Sequence, residues 1–160
     1  MEILLSKKPV KRVQKLISKF DSKLKVIVLN TTARTAKDAA ISLSCDIGAI
    51  VKSLLFKIEE SFLICLVAGD KRCSLNKLKK ILNKKYICMA NPDEVKENTG
   101  FSIGGVSPVG HKKKFDILID TSFKRFTNLF AAAGHPNCVF KISYNQLIAM
   151  TNGSQQDISK

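Results

Sequence analysis

The period of apolar positions changes several times along the chain, and each change predicts an element. Between residues 7 and 20, Val10, Val13, Leu16, Ile17 and Phe20 recur at helical spacing with Lys11, Arg12, Lys15 and Lys19 between them. This predicts a basic amphipathic helix with Pro9 in its first turn. Val26 to Leu29 reads as a short strand. Thr35-Ala36-Lys37-Asp38 has the form of a capping box, with Asp in place of Glu, and opens a helix through Ala36, Ala39, Ala40 and Leu43. From Ile47 to Phe56 the period falls to two. Ile50, Leu54 and Phe56 take one face of a strand, and Val51, Ser53 and Leu55 the other. A hairpin turn over 57–61 and a returning strand, Phe62 to Ala68, follow, closed by a turn at Gly69-Asp70.

The second half alternates in the same way. Ser74 opens a helix through Leu75, Leu78, Ile81 and Leu82, and Tyr86 to Met89 is a strand. Asn91-Pro92-Asp93-Glu94 is a strong helix start: a capping Asn, Pro at the first position and acids in the first turn, with Gly100 as the stop. Phe115 to Ile119 reads as a buried strand ending at Asp120, Ser122 to Phe126 as a single helical turn, and 130–133 and 138–142 as strands. The small residues at 131–134 suit a strand that a ligand or another backbone approaches closely. Tyr144 to Met150 is a helix, and 151–160 is polar and expected to fray. Short strands mixed with helices predict an α+β fold: a single compact domain over 1–150 with a mixed sheet, followed by a polar tail over 151–160.

Composition narrows the class. With 160 residues, 45% of them hydrophobic, the chain can bury a sizeable core and is not disordered. The longest apolar run, Phe62 to Ala68, is far too short to span a bilayer. Met1 to Lys8 lacks the order of a signal peptide, so a cytoplasmic location and no membrane partner are expected. The net charge of +14 invites a polyanionic partner, nucleic acid first. Only four of the 27 basic residues are arginine (Arg12, Arg34, Arg72 and Arg125), a balance that also suits a merely solvated surface. Cys45, Cys65, Cys73, Cys88 and Cys138 show no CxxC spacing, and with His111 and His135 they form no zinc pattern. They read as reduced, incidental or buried thiols.

Chemistry concentrates in two stretches. Asn98 to His111 carries four glycines, Pro108 and one histidine in fourteen residues. Such a loop can present several backbone N–H groups to an anion or a polarised carbonyl; it can also be a plain surface turn. The other stretch is Ile50-Val51-Lys52-Ser53-Leu54-Leu55-Phe56. Lys52 shares the parity of apolar Ile50 and Leu54, so it either snorkels at a sheet rim or is held in a cleft.

Five segments stand together in order: Thr35-Ala36 with Ala39-Ala40, Ile50 to Phe56, Leu66-Val67-Ala68-Gly69-Asp70, Gly104-Gly105-Val106-Ser107-Pro108-Val109-Gly110-His111, and Ala133-Gly134-His135-Pro136. This set resembles the YbaK / prolyl-tRNA synthetase-associated editing-domain family over about residues 8–150. The GGxxPxGH element paired with an upstream K-S-L-L-F strand makes the resemblance specific. It implies a curved mixed sheet flanked by helices. It also implies hydrolysis of the ester between a wrong amino acid and the 3′-terminal adenosine of tRNA, often tRNA-Pro carrying Cys, Ala or a similar small residue. The partner implied is mischarged tRNA, with prolyl-tRNA synthetase as a further one, and no cofactor or metal is implied.

By the same resemblance Lys52 is the functional lysine, and Gly104, Gly105 and Gly110 line the aminoacyl pocket. Ser107, Pro108, Gly134 and His111 fall in the same motifs and are expected at substrate, although the family's histidine is present only in some subgroups. An aminoacyl ester needs positioning and carbonyl polarisation more than activation. Lys52 would pair with the terminal phosphate or steady the developing charge, N–H groups of 104–110 would form the oxyanion site, and water would attack. Asp120 would orient Lys52 or a water, or else cap the next turn. Ser53 would bond substrate or face away. A second reading is a non-catalytic RNA-binding module using the lysines of 77–85 and 112–114. The intact Lys52 and glycine loop favour the hydrolase.

Overall fold

The computed structural model describes residues 2–30 and 35–160, so Arg34 lies outside them. The frame is the antiparallel pair β2 (Ile50–Ile58) and β3 (Ser61–Ala68). The turn between them is only Glu59-Glu60, with Glu59 at φ 55°. The strand therefore runs two residues past the start expected for the turn. Lys57 stays in the ladder, paired with Phe62 and Cys88, and its ammonium meets Glu94 at 3.3 Å.

The remaining strands are β1 (Val26–Val28), β4 (Ile87–Met89), β5 (Ile117–Asp120), β6 (Leu129–His135), β7 (Cys138–Ile142) and β8 (Ser154–Gln156). They order as β1-β7-β6-β2-β3-β5-β8 in one curved mixed sheet, with β4 also on β2. β2–β6, β3–β5 and β5–β8 are parallel. One consequence governs the site. With β3 along one edge of β2, the other edge is shared: β6 pairs at Ile50 and Val51, and β4 at Phe56 to Ile58. Between these partners the edge is parted at Lys52, Ser53 and Leu54.

The two faces of β2 feed different cores, as its alternation predicts. Val51 and Leu55 enter the main core with Val10, Val13, Ile17, Phe101 and Phe140. Phe56 and Ile58 join Cys65, Val67, Leu78 and Ile158 in a second, and Ile50 joins Leu29, Ala39, Ala40 and Val139 in a third. Helix α1 (Glu2–Leu5), absent from the sequence reading, precedes α2 (Lys8–Phe20), whose Val10, Val13 and Ile17 are fully buried. At Gly134, φ 91°, a Cβ would stand 2.8 Å from the Pro9 carbonyl group, so the small-residue strand admits the backbone of α2. The caps are local. Thr35 Oγ1 accepts from Asp38 N at the start of α3 (Ala36–Leu43), and Ser74 Oγ from Lys77 N at α4 (Leu75–Leu82). Asn91 and Glu94 cap each other at α5 (Pro92–Thr99), as do Ser143 and Gln146 at α6 (Tyr144–Thr151).

The C-terminal segment does not fray. β8 adds to β5, Ile158 is wholly buried, and Arg72 and Lys160 exchange backbone hydrogen bonds of 3.2 and 2.9 Å. Its polarity misleads because the ladder and one apolar side chain hold it, with Asp120 as the anchor.

Candidate active site

Where β6 and β4 diverge from β2, a cavity of about 270 Å³ opens, lined by Lys52, Ser53, Leu54, Thr35, Ala36, Ala39, Gly104, Val106, Ala132, Pro136 and Val139, among others. Most of the wall is apolar; Lys52 and Ser53 are its chemistry. The Lys52 ammonium donates to the Lys71 carbonyl at 2.5 Å, and the half-buried side chain lines the cavity. Burial lowers its pKa most; nearby Asp70 opposes that shift and Arg72 adds to it. Ser53 Oγ is buried and has no hydrogen-bond partner among the described residues. Such a group costs stability as it stands.

Of the loop's first glycines, Gly104 lines this cavity and Gly105 does not. Gly104, at φ 89°, lies against Pro136, where a Cβ would meet Cγ at 3.3 Å. Gly105 is pressed on the β6 backbone: a Cβ there would be 2.9 Å from His135 N and Cα. The Gly105 N–H is committed to the Ser102 carbonyl at 2.9 Å, so it is not an oxyanion donor. The N–H groups of Gly104 and Val106 meet no acceptor among the described residues and remain available.

The other expected residues lie elsewhere. Pro108, Gly110 and His111 line a separate groove with Leu16, Lys19, Phe20 and Lys112 to Lys114, which shares no residue with the Lys52 cavity. Ser107 is buried, its Oγ accepting from Val109 N and its carbonyl from His111 Nε2 at 2.6 Å. A carbonyl only accepts, so Nε2 carries the ring proton. His111 stands edge-on to Phe101 and Phe115, at 6.1 and 5.6 Å between centroids. Burial lowers its pKa, so the ring is neutral. Gly134 serves α2, as described above. None of these five touches the Lys52 cavity; the loop turns away after Val106 because Pro108 to His111 pack on α2 and Phe101.

Asp120 takes the capping alternative and more. Ser122 N and Oγ, Ser159 Oγ and Ile158 N all donate to its carboxylate. Burial alone would raise its pKa, but these donors outweigh it and hold the carboxyl below its ordinary range. Asp70 likewise ties down Arg125 through bonds of 2.7 and 2.8 Å. The sequence reading missed the Lys71 carbonyl, because a backbone acceptor leaves no residue-type signal. It also missed the apolar wall, although alanines 36 and 39 at helical spacing hinted at it. Among the described residues no cluster of three or more His, Cys, Asp or Glu is placed to hold a metal ion, and no helix is long and apolar enough to cross a membrane.

The aminoacyl-tRNA editing domain family profile fits residues 30–150, and the chain belongs to that family, whose members hydrolyse mischarged aminoacyl-tRNA. The uncharacterized protein YwhH of Bacillus subtilis is 33% identical over 76% of this chain and 78% of its own. The provisionally named Cys-tRNA(Pro)/Cys-tRNA(Cys) deacylase EbsC of Enterococcus faecalis is 25% identical over 78% and 77%. The proline–tRNA ligase of Kosmotoga olearia is 38% identical over 59% of this chain, which spans only 16% of that enzyme. A crystal structure described as a proposed trans-editing enzyme for prolyl-tRNA synthetase superposes with TM-score 0.90 at 34% identity, covering 96% of this chain and 98% of that one.

Proposed function

We propose that this chain removes a small amino acid, of the size of alanine, cysteine or serine, from mischarged tRNA-Pro, acting as a free-standing editor beside prolyl-tRNA synthetase in the cytoplasm. The observation that carries this reading is the half-buried Lys52 ammonium at the mouth of a small apolar cavity whose Ser53 hydroxyl is unpartnered. The cavity lies just below the usual range for small-molecule sites, about 300–1,000 Å³. Its alanine and valine wall suits a short side chain. The likeness to EbsC and to prolyl-tRNA ligases supports tRNA-Pro as the carrier.

In this reading the aminoacyl carbonyl lies between Lys52 and the Gly104–Val106 backbone. Water adds to that carbon, negative charge grows on the carbonyl oxygen, and the Lys52 ammonium with the free N–H groups holds it. The bond to the ribose oxygen then breaks, that oxygen takes the proton given up by the attacking water, and free amino acid and 3′-hydroxyl tRNA leave. Ser53 holds the substrate amine or carbonyl.

The test is deacylation of tRNA-Pro charged in turn with Ala, Cys, Ser and Pro, alongside Ala-, Cys- and Ser-tRNAs on their own tRNAs. Selective loss of one mischarged tRNA-Pro is expected and names the substrate. No turnover across the panel, with tRNA still bound, would replace the hydrolase by a binding module.

A further inference from the structure

Of the five cysteines, all of them free, two belong together. Cys65 lies on β3 opposite Leu54, is wholly buried, and belongs to the core of Phe56, Val67 and Ile158. Cys73 packs against the same core from the segment that follows β3. There the chain turns at Gly69-Asp70 and is then held by the C-terminal residues: Arg72 exchanges two backbone hydrogen bonds with Lys160, and Cys73 is bridged to Ser159. Cys73 is half-buried and lines a cavity of about 330 Å³ together with the basic side chains of Lys52 and Arg72. One thiol of the pair is closed off, and the other faces an opening.

We infer that Cys73 is a site of oxidation by hydrogen peroxide, resolved by Cys65 to a disulfide that disturbs the hold on Lys52; the effect on turnover rests on the editing reading above. A redox-sensing thiol needs access, thiolate character, a positive neighbour and a second thiol within reach. The cavity gives access, and Lys52 is the positive neighbour. Hydrogen bonding from the Cys65 thiol lowers the Cys73 pKa most; burial and Asp120 oppose that shift, and Lys52 adds to it. The same hydrogen bond, and then burial, raise Cys65, which keeps its proton. Burial raises Cys45 and Cys138 as well, and the exposed Cys88 is the competitor.

The Cys73 thiolate attacks one peroxide oxygen, the O–O bond breaks, and hydroxide leaves, taking up a proton to become water. Sulfur is oxidised by two electrons to a sulfenic acid. The Cys65 sulfur then attacks that sulfur, the S–O bond breaks, and a second water leaves with the Cys65 proton. The new bond draws on the segment whose Lys71 carbonyl accepts from the Lys52 ammonium.

The full chain is treated with a small molar excess of hydrogen peroxide at neutral pH and mapped by mass spectrometry, with dimedone as the trap for sulfenic acid. Expected in the wild type are peptides joined through Cys65 and Cys73, a mass lower by two hydrogens, and reversal by dithiothreitol. Cys65→Ala should instead carry dimedone on Cys73, and Cys73→Ser should give neither product. Oxidation confined to Cys88, or dimedone on wild-type Cys73 with no link to Cys65, would overturn the inference. Deacylation of mischarged tRNA-Pro by the oxidised wild type should fall about tenfold or more, as small misplacements of a catalytic group do, and recover with dithiothreitol. Full turnover by the disulfide form would also overturn it. Absence of turnover before oxidation, with the Cys65–Cys73 link still formed, would instead sink the editing reading and leave the thiol pair standing.

Discussion

The loop from Gly104 to His111 walls two cavities, and they differ in kind. The groove at its C-terminal end is the larger, about 680 Å³, with a histidine and four lysines around it. The cavity at its N-terminal end is about 270 Å³ and offers one lysine and one serine. Yet the groove's histidine is already engaged at one nitrogen: its Nε2 proton goes to the Ser107 carbonyl, and its ring stands edge-on to Phe101 and Phe115. In the small cavity the ammonium is held by a single carbonyl, and the serine hydroxyl by nothing among the described residues. Unspent hydrogen-bonding capacity at a parted strand edge, more than size or charge, is the ground on which the smaller cavity is proposed as the reactive one.

The largest break in this comparison is Lys52→Ala. Loss of one preorganised charge at a developing oxyanion costs about 10²–10³-fold in turnover. The effect is read as single-turnover deacylation, with the melting temperature unchanged because Lys52 lies outside the buried cores. Turnover retained in that variant would mean that the cavities had been ranked wrongly.

Asp120→Asn comes next and sharpens the comparison from behind the site. The carboxylate gathers Ser122, Ile158 and Ser159, and Ser159 adjoins the Lys160–Arg72 pair next to the Lys71 carbonyl. The variant leaves buried donors without a full acceptor, at about 1–3 kcal/mol. Denaturant melts should show that loss, with near wild-type turnover per folded molecule. The sign with pH follows from the lowered pKa. The contribution is complete above the ordinary carboxylate range, about 3.9, and fades as pH falls through the folded value. The Asn variant should lack that acid-dependent component.

Ser53→Ala has the smaller effect of one neutral hydrogen bond, about 0.5–1.5 kcal/mol or two- to tenfold in kcat/KM. It should not lower the melting temperature, because the hydroxyl has no partner to lose among the described residues. A fall in stability with unchanged kinetics would show that Ser53 faces away from substrate.

Much of this was legible in the chain. The two-residue period through Ile50 to Phe56 predicted which side chains of β2 share a face, and the caps at Thr35, Ser74 and Asn91 placed three helices. The family motif picked out Lys52 and Gly104, which line one cavity, while its Gly105 packs on the His135 backbone. What it could not show is where the loop divides. Gly104 and Gly110 are alike in sequence and both have positive φ, but one lies on Pro136 and the other on Leu16. That difference comes from long-range packing, which leaves no periodic signal. The ordered C-terminus was hidden for the same reason: one buried Ile158 and a carboxylate 38 residues upstream hold it.

The weakest effect is the one that separates the two cavities most cleanly. His111→Gln keeps a donor for the Ser107 carbonyl, removes the titrating ring and lines neither of the cavities that Lys52 lines. Deacylation kcat/KM at pH 7.5 should stay within about twofold, whereas a histidine acting as general base would cost about 10²–10⁴-fold. Its pH signature is structural. Burial lowers the folded pKa; the Ser107 hydrogen bond opposes that shift and Arg12 adds to it. The unfolded chain therefore takes up a proton near the ordinary histidine value of about 6.5, while the folded chain still refuses it. The contribution of His111 is complete above that value and declines as pH falls through the folded one. His135, also lowered by burial, acts in the same direction in wild type and variant alike. The difference between their melting temperatures from pH 7.5 to 5 therefore isolates His111. A variant that loses turnover but keeps the wild-type melting profile would move the histidine into the chemistry.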